Sequence, residues 1–191
     1  MRPFDLKPAL ACFLGMLLLV FFPAASLPLA PNAPEYDVKA AMIYNFALFI
    51  DWPDQSFSSA TEPISVCVLG EDPFGQSLET NFEGKTVRGR QLEIRRVQRL
   101  SELQTCHIAF ISPSERKRIP EIISAVGNSS VLTIGDVKDF VESGGVIGFR
   151  TEDEKIRFDI NIKAAQHANL KISYKLLNLA TVYGQEGKAG D

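Results

Sequence analysis

Cys67, Cys106 and the adjoining His107 are the residues of this chain best equipped for nucleophilic or redox chemistry. A cysteine attacks as its thiolate, which needs a helix N-terminus or a neighbouring cation, and neither cysteine opens a helical pattern. In an exported chain an even pair reads as a disulfide; two buried free thiols are the other reading. His107 and His167 are the only histidines, far apart in sequence, and no His or Cys cluster has metal-ligand spacing. A satisfied His107 at a strand edge and an exposed His167 are therefore expected, with no metal and no cofactor. Gly84, Lys85 and Thr86 spell the end of a phosphate loop, but Glu79 stands where its first glycine belongs and a helical segment precedes it. No G-x-S-x-G elbow and no H-E-x-x-H is present. Without a nucleophile and base at usable spacing, no catalytic residue is assigned, and a non-enzyme is expected.

Two strand-end turns could instead hold a small ligand. Gly70, Glu71, Asp72, Pro73, Phe74 and Gly75 follow an apolar run, where doubly wound sheets bind nucleotides, and Gly135 with Asp136 occupies a similar place. Glu71 and Asp72 would repel a phosphate, and acids beside a helix start are more simply satisfied by its dipole. Asp136 has the bland reading of a helix cap.

These residues must be positioned by a regular alternation of elements. The stretch Lys39 to Pro53, KAAMIYNFALFIDWP, reads as a helix ended by Pro53, with Val38, Met42, Phe46 and Phe49 on one face and Ala40, Ile43, Ala47 and Ile50 on the other. Asn32 and Glu35 have the form of a capping box, and Pro34 suits the first turn. A helix this apolar all round needs protein on both flanks. Apolar runs at 64–69, 107–111 and 131–134 read as strands covered on both faces. Leu92, Ile94 and Val97 mark a charged strand with one wet face. Helices are expected from Pro73 to Phe82, from Glu115 to Val126 behind a Ser112 or Ser114 cap, from Asp136 to Val141, and from Ser173 to Val182. Val146 to Phe149 and the alternating Ile156, Phe158 and Ile160, joined by a polar turn, form a hairpin. The fold class is α/β: a three-layer sandwich with a mostly parallel sheet plus a C-terminal antiparallel hairpin.

Residues 1–26 carry Arg2 and Lys7, an apolar core and then Pro23, Ala24, Ala25 and Ser26, the pattern of a cleaved signal peptide; a retained anchor is the other reading. Cys12 precedes most of that core, which excludes a lipoprotein cysteine. Residues 27–35 are a linker, 36–183 one domain and 184–191 a flexible tail. The net charge of −3, with a pI of about 5.5, argues against nucleic acid and against anchoring on anionic lipid. After leader cleavage no membrane insertion is expected.

The ordered series KAAMIYNFALFIDWP, ISVCVLGEDPFG, GKTVRGRQLEIRRV, CHIAFIS, VLTIGD, GGVIGFRTEDEKIRFDIN and LKISYKLLNLA resembles the YfiR-like family of exported bacterial proteins, from about Tyr36 to Val182. The resemblance implies a periplasmic, non-catalytic α/β protein that represses a membrane-bound diguanylate cyclase by binding its periplasmic domain, lowering cyclic di-GMP and biofilm formation. It implies as partners that inner-membrane cyclase or a sensor kinase, an outer-membrane lipoprotein that sequesters the repressor, and a second copy in a homodimer. Cys67 and Cys106 match the family's bridging pair, while a second pair found in the hairpin of relatives has no counterpart here. Repression by contact needs an exposed apolar patch. Phe149, Phe158 and Ile160 on the hairpin are the candidates, against the reading that they cover the core; Tyr44 and Trp52 follow, with core packing as their alternative. A periplasmic small-molecule sensor using Gly70, Glu71, Asp72, Gly135 and Asp136 is the competing function.

Overall fold

The computed structural model describes residues 33–184, with side chains from residue 35 onward. The leader, most of the linker, the Asn32 half of the capping box, the Pro34 side chain and the tail from 185 lie outside the described residues. Helix α1, Ala33–Phe49, runs into the two-residue strand β1, Ile50–Asp51. Strand β2 is Ile64–Leu69, and α2, Ser77–Phe82, follows the turn at Gly70. Strands β3, Thr86–Val87, and β4, Arg90–Val97, form a hairpin. A 3-10 turn, Leu100–Thr105, leads to β5, Ile108–Ile111, and a second one, Pro113–Arg118, leads to α3, Ile119–Val126. Then come β6, Leu132–Gly135; β7, Ile147–Glu152; β8, Lys155–Asn161; α4, Ile162–His167; β9, Lys171–Ile172; α5, Tyr174–Leu177; and β10, Thr181–Tyr183.

The main sheet has eight strands in the order β10-β8-β7-β6-β5-β2-β4-β3. Pairings from β4 through β7 are parallel, β7 and β8 form the expected antiparallel hairpin, and β3 closes the far edge antiparallel. The side chains of β2 explain the layers. Val66 and Val68 enter one apolar core with α1 and α2, while Cys67 and Leu69 enter another with α3, so alternation along one strand fills both faces. This is the three-layer α/β architecture read from the pattern of elements.

Several elements differ from the sequence expectation. Helix α1 stops at Phe49, before Pro53, because Ile50 and Asp51 pair antiparallel with Ile172 and Lys171. The helix expected from Glu115 is divided: Ser112 caps the 3-10 turn, and α3 proper begins at Ile119 with Pro120 in its first turn. No helix follows Asp136, where the chain turns instead. The helix expected to reach Val182 ends at Leu177, and Thr181–Tyr183 adds β10 parallel to β8. The Leu176, Leu177, Ala180 stripe fits a helix locally, but the open edge of β8 offers the backbone a ladder instead. Helix α4, capped by Asn161 accepting from Ala164 N, was not expected.

Candidate interaction surface

The hairpin does not present the apolar patch expected of it. Phe149, Phe158 and Ile160 are buried, with both phenylalanine rings packed on Phe46 of α1 at centroid distances of 5.7 and 4.9 Å. The face expected to be spare is covered by α1, whose inner arc of Tyr36, Ala40, Ile43, Phe46 and Ala47 lies on the sheet. Tyr44 and Trp52 are half-buried and tied down: Tyr44 donates to the Thr86 carbonyl and Trp52 to that of His107, each at 3.2 Å. The exposed apolar side chains stand elsewhere. Val38 (48% exposed) and Leu48 (38%) lie on the outer arc of α1, and Tyr174 (75%) and Leu179 (70%) lie in and just after α5. On that arc Met42 and Phe49 are only partly covered. The outer arc of α1, which also carries the exposed Asp37 and Asn45, is thus only partly covered.

At the carboxyl ends of the parallel strands the two expected ligand turns are occupied by the protein's own side chains. Gly70 has φ +91°, and a Cβ there would lie 2.4 Å from Ser114 Oγ and 2.8 Å from Glu115 Cγ. A Cβ on Gly135 would strike the Phe140 ring at 2.4 Å. Both glycines are needed because neighbours fill the space a ligand would take. Asp72 accepts from Phe74 N and from Arg96 Nε, each at 2.8 Å, while the Glu71 side chain stays exposed.

Asp136 serves a contact the sequence reading missed. Its Oδ2 accepts from Lys39 Nζ and from the Tyr36 hydroxyl, both at 2.6 Å, in place of a helix cap. Lys39, only 2% exposed, also pairs with Glu35 at 2.5 Å and lies 4.6 Å from the centre of the Tyr36 ring. Burial, and then the bond to Asp136, push the Tyr36 hydroxyl well above its ordinary range. The available signal was a lysine on the same helical arc as Tyr36 and Ile43: a charge facing a core requires a partner.

At the amino ends, His107 is buried and satisfied, as expected. Ser65 N–H donates to Nδ1 at 3.1 Å, so the ring proton sits on Nε2 and is donated to the Ser56 carbonyl at 3.0 Å. Phe57 stacks on the ring at 4.4 Å. Ser65 Oγ is 2.9 Å from Nδ1, but the hydroxyl donates to the Thr105 carbonyl and accepts from His107 N–H. Serine and imidazole are spent on structure. Burial pulls the imidazole below its ordinary 6.5, against the opposing pull of the Ser56 carbonyl and of Glu62. Cys67 and Cys106 are joined as a disulfide beside this cluster. Among the described residues no group of three or more His, Cys, Asp or Glu could hold a metal ion, and no helix is long and apolar enough to cross a membrane.

In comparison with solved structures, the chain is similar to a conserved domain protein of Vibrio cholerae O1 biovar El Tor, with a TM-score of 0.52 and 12% identity over 77% of this chain and 59% of that one. That likeness shows the fold alone, and the chain spans less than two thirds of the length of that relative. A domain of a Streptococcus pneumoniae protein solved with L-Trp matches with a TM-score of 0.43 and 14% identity, over 62% of this chain and 55% of that one. No curated protein matches the sequence. The model of the YfiR/HmsC-like family matches residues 36–181, the whole of the described domain but for its extremities. The chain belongs to the YfiR/HmsC-like family.

Proposed function

We propose that this protein is a periplasmic regulator that binds and represses an inner-membrane diguanylate cyclase, or a related sensor kinase, and so lowers cyclic di-GMP and biofilm formation. The observation that carries the reading is the family match over residues 36–181. Two side chains on the outer arc of α1 support it, since Val38 and Leu48 are apolar, solvent-facing and set on a helix. Leu48 and Tyr174 replace the buried hairpin residues as the first positions to test for contact with the cyclase. An outer-membrane lipoprotein would relieve repression by competing for the regulator, which requires only that it bind the free form. Residues 1–26 act as the export signal. The small-molecule reading draws no support from Gly70, Glu71, Asp72, Gly135 and Asp136, whose surroundings are filled from within.

The test is genetic. Deleting the gene is expected to raise cellular cyclic di-GMP, an exported copy to restore it, and a copy lacking residues 1–26 to leave it high. An unchanged level on deletion would overturn the proposal.

A further inference from the structure

Between β1 and β2 the chain lies over the amino ends of the sheet as a strap, residues 54–62, bounded by Pro53 and Pro63. It opens with a 3-10 turn, Asp54–Ser56, and no residue from 51 to 63 is buried, so it adds no fully buried side chain to either core. A segment with so little buried surface can leave at small cost. What holds it is a short series of polar and ring contacts. The Ser56 carbonyl accepts from His107 Nε2 at 3.0 Å, and the Phe57 ring stacks on the imidazole at 4.4 Å. From β4, the Arg90 guanidinium carbon lies 3.8 Å from the centre of the Phe57 ring, and Nη1 donates to the carbonyls of Ser59 and Glu62 at 2.9 and 2.7 Å. The strap also closes on itself, Ser58 N–H and Oγ both donating to the Glu62 carboxylate.

We propose that this strap is an acid-operated latch: on taking up a proton His107 releases Ser65, and the strap swings off the amino ends of the sheet while both cores stay folded. The geometry leaves the closed ring no place for a second proton. Nδ1 faces the Ser65 N–H at 3.1 Å, a donor fixed in β2, so a proton on Nδ1 sets donor against donor and strands a buried amide. The imidazolium must turn away from β2, and the Ser56 carbonyl and Phe57 ring that rest on it move with it. Two charged groups face the imidazole: Glu62 of the strap favours its protonation, and Arg90 of β4 opposes it. The other neighbours, Ser65 of β2, Trp52 after β1 and the Thr105 carbonyl, bring no ionisable group. Burial outweighs Glu62 and holds the closed ring neutral below its ordinary 6.5. An open ring stands in water, so opening takes up a proton and acid favours it. Glu62 does not titrate alongside, because its bonds to Ser58 hold the carboxyl below its ordinary range. Beside the ring lies a cavity of about 440 Å³, lined by Gln55, Ser58 and Glu62 of the strap together with Gln104 and Val131. Opening removes one wall of that cavity and parts no core. The inference stands apart from the regulator reading and does not need a cyclase.

Hydrogen–deuterium exchange of the full exported chain tests it, run from about pH 7.5 to about pH 5 across the ordinary histidine range and corrected for the intrinsic pH dependence of exchange. The strap amides of Ser56, Phe57 and Glu62 donate to the carbonyls of Pro53, Asp54 and Ser59, and that of Ser58 to the Glu62 carboxylate. Their protection is expected to fall with pH by up to about tenfold per pH unit, the limit for uptake of one proton, while the amides of β6 keep theirs. His107→Gln, which cannot take the proton, is expected to hold strap protection level over the same range. Constant strap protection in the wild type, a fall shared equally by β6, or the same fall in His107→Gln would each overturn the inference. Should His107→Gln fail to fold, Arg90→Met removes the clamp from β4. Its strap is expected to be less protected than the wild type already at neutral pH and to lose more in acid, and wild-type protection at both would overturn the latch.

Discussion

At the carboxyl ends of the strands the closing groups are charged, Lys39 between Glu35 and Asp136, whereas at the amino ends they are neutral, His107 between Ser65 and the Ser56 carbonyl. The amino end also has a covalent bond, Cys67 to Cys106, joining the middle of β2 to the approach of β5. Both arrangements tie a segment to the sheet across a long stretch of sequence. The difference lies in what breaks them. A charged cluster fails when one partner is removed, because a buried ion is left behind. A neutral one fails when its imidazole is forced to accept a proton.

The covalent bond should dominate. Reducing Cys67–Cys106 releases a loop whose ends are 39 residues apart, which the chain-entropy model values at roughly 4 kcal/mol. For a domain of this size, a drop in melting temperature of about 10 °C is expected on adding a reductant. Identical melting curves with and without reductant would mean that the amino end is held by its hydrogen bonds alone.

Asp136→Ala comes next, at about 3 kcal/mol in a denaturant titration, since it strands the Lys39 ammonium in the core with Glu35 as its only acid. Lys39→Met should cost less: an apolar chain fits beside the Tyr36 and Phe149 rings, and Asp136 keeps the Tyr36 hydroxyl. The reverse order would show that the lysine, and not the stranded charge, governs that end.

The histidine effect is smaller and has a definite sign. His107 is held neutral below its ordinary pKa of 6.5, so under mildly acidic conditions the unfolded chain binds a proton that the fold refuses. Stability is therefore intact above about pH 6.5 and falls as pH drops below it toward the lowered folded value. Melting temperature should decline as pH falls below about 6.5, and His107→Gln should flatten that slope. An unchanged slope in the variant would assign the decline to other groups. Least of all, Arg88→Ala removes an exposed ion pair with Asp51 and should shift stability by less than about 0.5 kcal/mol. A larger loss would mean that the β3–β4 turn is anchored through it.

Strand positions were legible where one strand satisfies two cores. The run ISVCVL at 64–69 has no polar face except Ser65, and it is β2 residue for residue. The hairpin was legible in its alternation, yet which of its faces would be covered was not, because that depends on α1, joined to it only through the tertiary fold. Asp136 shows the same limit more sharply. A carboxylate after a strand and a glycine suits a cap, and nothing nearby in sequence reveals that its partner is Lys39, 97 residues earlier. The largely apolar character of α1 was plain from its residues, and the structure buries one flank in the core and covers the other only in part, with Val38 and Leu48 exposed.

The exposed apolar side chains of α1 and α5 are where the proposed function is most directly tested. A photoactivatable crosslinking residue placed at Leu48 or Tyr174 in the exported chain, with one at the buried Phe158 as control, reports what touches the surface in living cells. Adducts at Leu48 or Tyr174 containing an inner-membrane protein with a diguanylate cyclase or sensor kinase domain, and none from Phe158, are the predicted result. Irradiation that yields no such membrane protein from either exposed position would contradict it.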